Sequence, residues 1–105
     1  MKKNDYDRAI EDYSTAIKLN AKEGAFYTDR CGADFYKREF DRALPDCDEG
    51  VNLVPKLGAQ GLRCAVYAAK GEFDRALRDC DEWLRRGPSI SAHIWRGFVF
   101  EQKGE

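Results

Sequence analysis

One sequence pattern occurs three times in the chain, beginning at Tyr6, Phe40 and Phe73. The segments YDRAIEDYSTAIKLN, FDRALPDCDEGVNLV and FDRALRDCDEWLRRG align without gaps, and each begins aromatic-Asp-Arg-Ala-(Ile/Leu). The copies are spaced by 34 and then 33 residues. Because a repeat of this length cannot bury its apolar side alone, the pattern predicts an array in which successive repeats stack on each other.

The repeated segments and the stretches between them both have helical spacing. Ala9 and Tyr13 in the first copy lie four residues apart, as do Cys64 and Ala68 in an intervening stretch, which places each pair on one helix face. Two short helices per repeat predict an all-α solenoid of helical hairpins, with about six helices and no sheet. We expect residues 1–105 to form a single domain.

The composition narrows the classes of function. Hydrophobic residues make up 43% of the 105 residues, which is too many for a disordered chain. The net charge of −1 argues against a nucleic-acid-binding domain, which would carry a basic surplus. No apolar run is long enough to span a membrane, and the N-terminus lacks the apolar core of a signal peptide. We therefore expect a cytoplasmic protein without nucleic-acid or membrane partners.

The positions of the four cysteines are better explained by packing slots that recur with the repeat than by a metal site or a disulfide framework. Cys31 and Cys64 are 33 residues apart, as are Cys47 and Cys80, so each pair marks one packing slot in successive repeats. There is no CxxC pair, and His93 is the only histidine, which argues against a zinc site. In the cytosol the thiols are expected to stay reduced. We predict no metal and no cofactor.

The sequence also gives little support for catalysis. A cysteine nucleophile would need a base, and only His93 is available. The carboxylate pairs Asp46–Asp48 and Asp79–Asp81 are spaced i, i+2 and point to different helix faces. The chain is predicted not to be an enzyme, and a thiol-dependent activity is the third-ranked alternative.

At these residues the chain resembles the tetratricopeptide-repeat family. The resemblance covers essentially the whole chain and rests on four features that recur in register. These are the small slot at Cys31, Cys64 and Gly97, the Lys-Gly-Glu turns at 70–72 and 103–105, the aromatic-Asp-x-Ala-Leu helix start, and the closing prolines Pro55 and Pro88.

The resemblance implies a particular order of helices, in which each repeat has an A helix followed by a B helix. This chain begins with a B helix at about 5–20 and ends with an A helix at about 90–104. Full repeats are expected at about 24–55 and 57–88.

The resemblance also implies a function, since this family commonly binds an extended peptide along the concave face of its A helices. We predict a non-catalytic protein–protein interaction scaffold with a small-residue floor between aromatic walls. The expected peptide-binding residues are Thr28, Phe35, Tyr36, Arg63, Ala65, Ala69, Ile94, Phe98 and Gln102. The alternative, left open here, is that some of these aromatic side chains belong to the core.

Acidic chaperone C-termini are not the expected ligand. The family's clamp for such tails uses lysine and asparagine at groove positions, and this chain has other residues there. Those positions hold Thr28, Gly32, Gly61, Ala65, Ile94 and Phe98.

One arginine and one aspartate recur in every copy. The favoured interpretation is a ladder of ion pairs between the A and B helices, because a half-buried guanidinium needs a partner. The alternative is a row that holds a ligand carboxylate or phosphate in the groove, which would also keep acidic tails possible. The residues are Arg30, Arg63 and Arg96, with Asp12, Asp46 and Asp79.

The terminal helices suggest a second class of function. A solenoid repeat buries its face only by stacking, so the first and last helices could stack or swap between chains and form a homo-oligomer. The residues predicted for self-association are Ile10, Tyr13, Ile17, Ile94, Trp95 and Phe98.

Overall fold

The computed structural model describes residues 3–55 and 58–104, and this part of the chain is all-α, as expected. It contains six helices and no strand. They are α1 (Lys3–Leu19), α2 (Gly24–Tyr36), α3 (Phe40–Leu53), α4 (Ala59–Lys70), α5 (Phe73–Arg85) and α6 (Ile90–Lys103).

Local sequence signals set where these helices begin and end. Asp41 and Asp74 lie in the first turns of α3 and α5, where a carboxylate is stabilised by the unpaired amides. At the start of α6 the Ser89 hydroxyl accepts a hydrogen bond from the amide of Ala92 at 3.2 Å. Gly71, with φ of +81°, ends α4 in the left-handed region that only glycine enters without strain.

Successive helices pack side by side into a short solenoid. In addition, α2 contacts α4 and α4 contacts α6, whereas α1, α3 and α5 do not contact one another. The helices α2, α4 and α6 therefore line the inner side of the curve. These are the predicted A helices, and α1, α3 and α5 are the predicted B helices.

Small buried residues allow the helices of each hairpin to approach closely. One core cluster joins α2, α3 and α4 through Cys31, Ala43, Cys47 and Val66. The other joins α4, α5 and α6 through a similar set, which is Cys64, Ala68, Ala76, Cys80 and Val99. Each cluster spans two neighbouring repeats, so burial couples every hairpin to the next one.

The cysteines pair across the hairpins, and this corrects the expectation of reduced thiols. Cys31 is bonded to Cys47 with Cα atoms 5.5 Å apart, and Cys64 is bonded to Cys80 with Cα atoms 5.6 Å apart. The slot that holds Cys31 and Cys64 faces the slot that holds Cys47 and Cys80 within each hairpin. Two residues in facing slots at this distance have the spacing that a disulfide requires.

The arginine–aspartate ladder is present in both complete hairpins. Arg30 of α2 binds both carboxylate oxygens of Asp46 in α3, at 2.6 and 2.7 Å. Arg63 of α4 binds both oxygens of Asp79 in α5 at 2.8 Å. The hydrogen bonds that Arg63 donates to Asp79 are the main reason that the pKa of Arg63 is raised. Both guanidinium groups already bind carboxylates of the chain itself. The structure therefore supports the ion-pair ladder over the ligand-binding row.

Each of these arginines also reaches back to the preceding B helix. The Nη1 atoms of Arg30, Arg63 and Arg96 donate to residues in one register slot, at 3.0, 2.9 and 3.0 Å respectively. The acceptors are Ser14, Asp48 and Asp81. Arg30 and Arg63 thus each link three consecutive helices, and Arg96 links α5 to α6.

A second ladder joins the end of each A helix to the start of the preceding B helix. Lys70 pairs with Asp41 at 2.7 Å, and Lys103 pairs with Asp74 at 3.5 Å. Lys37 pairs with Asp7 in the same way. These pairs explain why the aspartate of the repeated aromatic-Asp motif recurs together with a lysine.

None of the helices in the described part of the chain has both the length and the apolarity needed to cross a membrane. The same residues contain no group of histidine, cysteine, aspartate or glutamate side chains that could hold a metal ion.

Candidate functional site

The inner side of the solenoid carries an aromatic pocket of about 530 Å³ between α2, α4 and α6. Its wall is mostly apolar, and its residues come from the end of α2, the turn to α3 and the start of α3, the end of α4 and the middle of α6. They are Phe35, Tyr36, Arg38, Phe40, Ala69, Ile94, Trp95 and Phe98.

The aromatic pocket forms because α4 presents small side chains on this side. Ala68 and Ala69 project too little to separate the helices on either side of them, so rings from α2 and α6 meet across α4. Phe35 and Trp95 lie edge to face with their centroids 5.9 Å apart. Trp95 also meets Phe98 edge to face at 5.7 Å. Both arrangements are among those that aromatic pairs prefer.

Among the described residues, Arg38 alone contributes a charge to the wall of the aromatic pocket. It is exposed and lies in the turn after α2, with a φ of +67°. The register-equivalent turn positions are Gly71 and Gly104, which also have positive φ. The guanidinium carbon of Arg38 is 5.6 Å from the centroid of Phe40, a cation–π contact that holds the charge at the rim.

A second cavity of about 370 Å³ continues the groove towards α1. Tyr36 lines both cavities and stacks on Tyr6 with ring centroids 5.8 Å apart. Thr28 and Gly32 of α2 line this second cavity, with Leu62 of α4 opposite. Together the two cavities run from α1 to α6, the direction in which an extended peptide would cross the helices.

The structure brings six of the nine predicted peptide-binding residues to these two cavities. Five surround the aromatic pocket, and Thr28 lies in the second cavity. The five are Phe35, Tyr36, Ala69, Ile94 and Phe98.

The other three predicted residues lie elsewhere. Ala65 of α4 is only 1% exposed, because it faces the neighbouring helices. Arg63 is bound by Asp79 and Asp48, so it is not available in the groove. Gln102 is exposed and lines neither cavity. These placements correct the sequence-based positions, because Arg63 and Ala65 face neighbouring helices and not the groove.

Sequence reasoning missed Arg38, Phe40 and Leu62 and assigned Trp95 only to self-association. A signal was present for Arg38, since an arginine replaces the turn glycine found in the other two copies. Trp95 gave no comparable signal, because its register equivalents are Asp29 and Leu62, which share no property with it.

Comparison with solved structures shows a close similarity in fold to a known domain. The first tetratricopeptide-repeat domain of Spaghetti (RPAP3), solved bound to an HSP90 peptide, superposes with a TM-score of 0.90. The match covers 97% of this chain and 82% of that chain, with 23% sequence identity. This chain has the tetratricopeptide-repeat fold. The resemblance inferred from the repeated motifs is confirmed at the level of the fold.

Comparison with curated sequences finds similarity over about half of this chain. The chain is 32% identical over 50 residues to Hsp70-Hsp90 organizing protein 2 of Arabidopsis thaliana, and 36% identical over 55 residues to Stress-induced-phosphoprotein 1 of Caenorhabditis elegans. The matched segments cover 48% and 52% of this chain but only 9% and 17% of those relatives. A scan against models of known protein families finds no match.

Within the tetratricopeptide-repeat fold, the residues predicted for self-association divide into two groups. Trp95 and Phe98 are half-buried in the aromatic pocket; Phe98 was predicted for peptide binding as well as for self-association, and Trp95 for self-association only. Ile94 lines the same pocket but is 63% exposed, and the three residues of α1 are half-buried. Those three are Ile10, Tyr13 and Ile17.

A larger cavity of about 680 Å³ lies at the opposite end of the hairpins, between the turns that follow α3 and α5. Its wall includes Trp83 and Gln60, and Arg86 donates across it to the carbonyl of Pro55. Pro55 and Gly58 line this cavity, and residues 56–57, which come between them in the sequence, lie outside the described part of the chain. The groove of the A helices is therefore the better-defined candidate site.

Proposed function

We propose that this domain binds an extended segment of a partner protein along α2, α4 and α6, with an apolar side chain of the segment in the aromatic pocket. The observation that carries the proposal is the pocket itself, since it combines aromatic walls with an alanine floor on the concave side. Buried aromatic pockets of this kind commonly provide most of the binding energy of an interface. The fold match supports the mode of binding, because that domain was solved with a peptide.

The chemistry of the groove favours an apolar segment over an acidic tail. The peptide bound by the structural neighbour, SRMEEVD, contains three acidic residues. In this chain Gly32 and Phe98 supply no cation to the groove, and Arg63 already binds two aspartates. Arg38 offers one positive charge at the rim, enough to pair with a single carboxylate beside the apolar anchor.

A comparison of two labelled peptides tests this preference. SRMEEVD and its analogue SRMLLVD differ only in replacing two glutamates by leucines, and binding is measured by fluorescence anisotropy at micromolar protein. We expect the leucine peptide to bind at least about tenfold more tightly, corresponding to about 1.4 kcal/mol. Tighter binding of SRMEEVD would support the acidic-tail alternative, and binding of neither peptide would contradict the proposed function.

Two isoleucines of α6 provide a matched pair of variants. Ile94 lines the aromatic pocket and is 63% exposed, whereas Ile90 is 82% exposed and lines neither groove cavity. Neither substitution opens a hole in the core. Ile94→Ala is expected to weaken binding of the leucine peptide about fivefold, and Ile90→Ala is expected to leave it unchanged. Equal effects of the two substitutions would place the peptide outside the pocket.

A further inference from the structure

The outer face of α6 contacts no other element of the described chain. α6 packs against α5 and α4 on its inner side. On the outer side Phe100 is 36% exposed, and a Cβ atom placed on Gly97 would have no atom within 4 Å. The first helix is in a similar position, since α1 packs against α2 alone.

The two complete hairpins show what an A helix requires of the B helix that follows it. The first requirement is a carboxylate for the arginine, which Asp46 provides for Arg30 and Asp79 provides for Arg63. Arg96 occupies the same slot in α6 and binds Asp81 of the preceding helix through Nη1. Its Nε and Nη2 atoms have no hydrogen-bond partner among the described residues.

The second requirement is complementary size at two facing slots. The slot beside the arginine holds the bonded cysteines in both hairpins. At the other slot one helix carries a glycine, and the larger side chain of the facing helix packs against it. Thr28 packs on Gly50 in the first hairpin, and Trp83 packs on Gly61 in the second, where no Cβ would fit beneath the indole.

The third requirement concerns an arginine near the start of the B helix. Arg42 of α3 lies close enough to Asp34 of α2 to lower the pKa of that carboxyl, opposing the stronger effect of burial. In the second hairpin the guanidinium carbon of Arg75 lies 6.0 Å from the ring centroid of Tyr67. The arginine therefore pairs with whichever acidic or aromatic side chain the A helix offers.

The outer face of α6 and the free face of α1 satisfy all of these requirements when aligned in the same register. In that alignment each slot of α6 lies opposite a residue of α1 with complementary charge, size or ring chemistry. The carboxylate, that of Asp12, is exposed. The four pairs are Arg96 with Asp12, Gly97 with Tyr13, Ile94 with Ala16, and Phe100 with Arg8.

We propose that α1 of a second copy of this chain docks on α6 as a B helix, continuing the solenoid from one molecule to the next. The contact is heterologous, since different surfaces of the two copies meet. Such contacts form a ring where the rotation between copies closes and a longer filament where it does not. The average mass in solution is therefore expected to rise with concentration from 12.0 kDa through the dimer and beyond.

Light scattering over a hundredfold range of concentration tests the docking, with charge reversal on α1 as the first variant. Asp12→Arg places two arginines face to face and is expected to weaken association at least about tenfold. The matched control is Glu11→Arg, because the equivalent slot holds Pro45 and Arg78 and is exposed in both complete hairpins. A constant mass of the unmodified chain, or equal loss in both variants, would overturn the proposal.

A second pair of variants tests the other side of the contact. Gly97→Arg adds a long side chain where the single chain has open space, so the domain still folds while docking is blocked. Gln102→Arg adds the same charge about 140° around the same helix, and it is expected to associate normally. Asp12 and Gly97 line neither groove cavity, although Ile94 and Tyr13 of the same contact each line one.

Cross-linking tests the register itself. Chains carrying Tyr13→Cys are mixed with chains carrying Gly97→Cys under oxidising conditions, and the linked peptides are identified by mass. In the proposed register these two positions face each other as Cys31 faces Cys47, whose Cα atoms are 5.5 Å apart. We expect the mixed 13–97 disulfide to exceed both homodimers. Random proportions of the three products would mean that any association uses another surface.

Discussion

The ring of Phe35 in α2 meets the indole of Trp95 in α6 edge to face, with centroids 5.9 Å apart, across an intervening helix. Their helices belong to repeats that are not neighbours in the array. Most contacts in a solenoid join adjacent repeats. This pair therefore couples the first and last of the three A helices and fixes the shape of the aromatic pocket between them.

We predict that Phe35 and Trp95 are energetically coupled. Phe35→Leu and Trp95→Leu retain apolar bulk and remove the ring contact, and the two single variants and the double variant form a thermodynamic cycle. The coupling free energy of unfolding is expected to be about 1 kcal/mol. Urea denaturation measures it, and purely additive effects would show that the rings touch without stabilising each other.

The ion pair between Arg63 and Asp79 is predicted to be important for stability. Asp79 is 4% exposed, so removing its partner leaves a buried carboxylate without compensation. Arg63→Ala is expected to lower the free energy of unfolding by about 3 kcal/mol. Arg85→Ala, which removes an exposed pair with Glu82, is expected to cost less than about 0.5 kcal/mol. Similar losses in urea denaturation would argue against this distinction.

The disulfides predict a strong dependence on redox conditions. Each closes a segment with a sequence separation of 16, for which the chain-entropy model gives about 3 kcal/mol. Cys47→Ala and Cys80→Ala should each lower the Tm, and together they should lower it roughly additively. Alkylation of the unmodified protein under denaturing, non-reducing conditions provides the check. Four reactive thiols would show that the bonds are absent under the conditions used.

Two glycines in A helices are predicted to respond in opposite ways to alanine. Gly61→Ala would drive a Cβ into the ring of Trp83, with an expected loss of about 2 kcal/mol from overpacking. Gly97→Ala meets no atom within 4 Å, so the better helix propensity of alanine should stabilise the domain by about 0.5–1 kcal/mol. Thermal unfolding distinguishes these outcomes, and a gain for Gly61→Ala would mean that Trp83 moves freely.

Asp34 predicts a specific dependence of stability on pH. It is 2% exposed, and its Oδ1 atom has no hydrogen-bond partner in the described part of the chain. Burial raises its pKa above the ordinary value of 3.8, and nearby Asp46 adds to that, whereas Arg42, Lys37 and Arg30 oppose it. The folded protein therefore binds this proton more tightly than the unfolded chain does. The ionised carboxyl therefore lowers the free energy of unfolding. This loss is absent below pH 3.8 and is complete above the raised pKa.

Asp34→Asn removes that cost and retains the shape of the side chain. It is expected to raise the free energy of unfolding at pH 7 by about 1 kcal/mol, with the advantage shrinking as the pH falls towards 3. Urea denaturation of both proteins at several pH values measures the difference. A constant advantage across this range would attribute the effect to packing and not to ionisation.

The amino-acid sequence by itself determined the helices, their order and the ion-pair ladder. Helical spacing and end signals act within a few residues, and a repeat shows each signal three times. The register of Arg63 and Asp79 could likewise be inferred, since a half-buried guanidinium needs a carboxylate and both residues recur with the same period.

Only the tertiary structure decided which slots face each other. Cys31 is in register with Cys64 but bonded to Cys47, because the closeness of two helix faces depends on how the helices cross. The same holds for the groove, where Ala65 is buried while Trp95 reaches Phe35. Periodicity specifies the face of a helix on which a residue lies. The three-dimensional packing of neighbouring helices determines what that face meets.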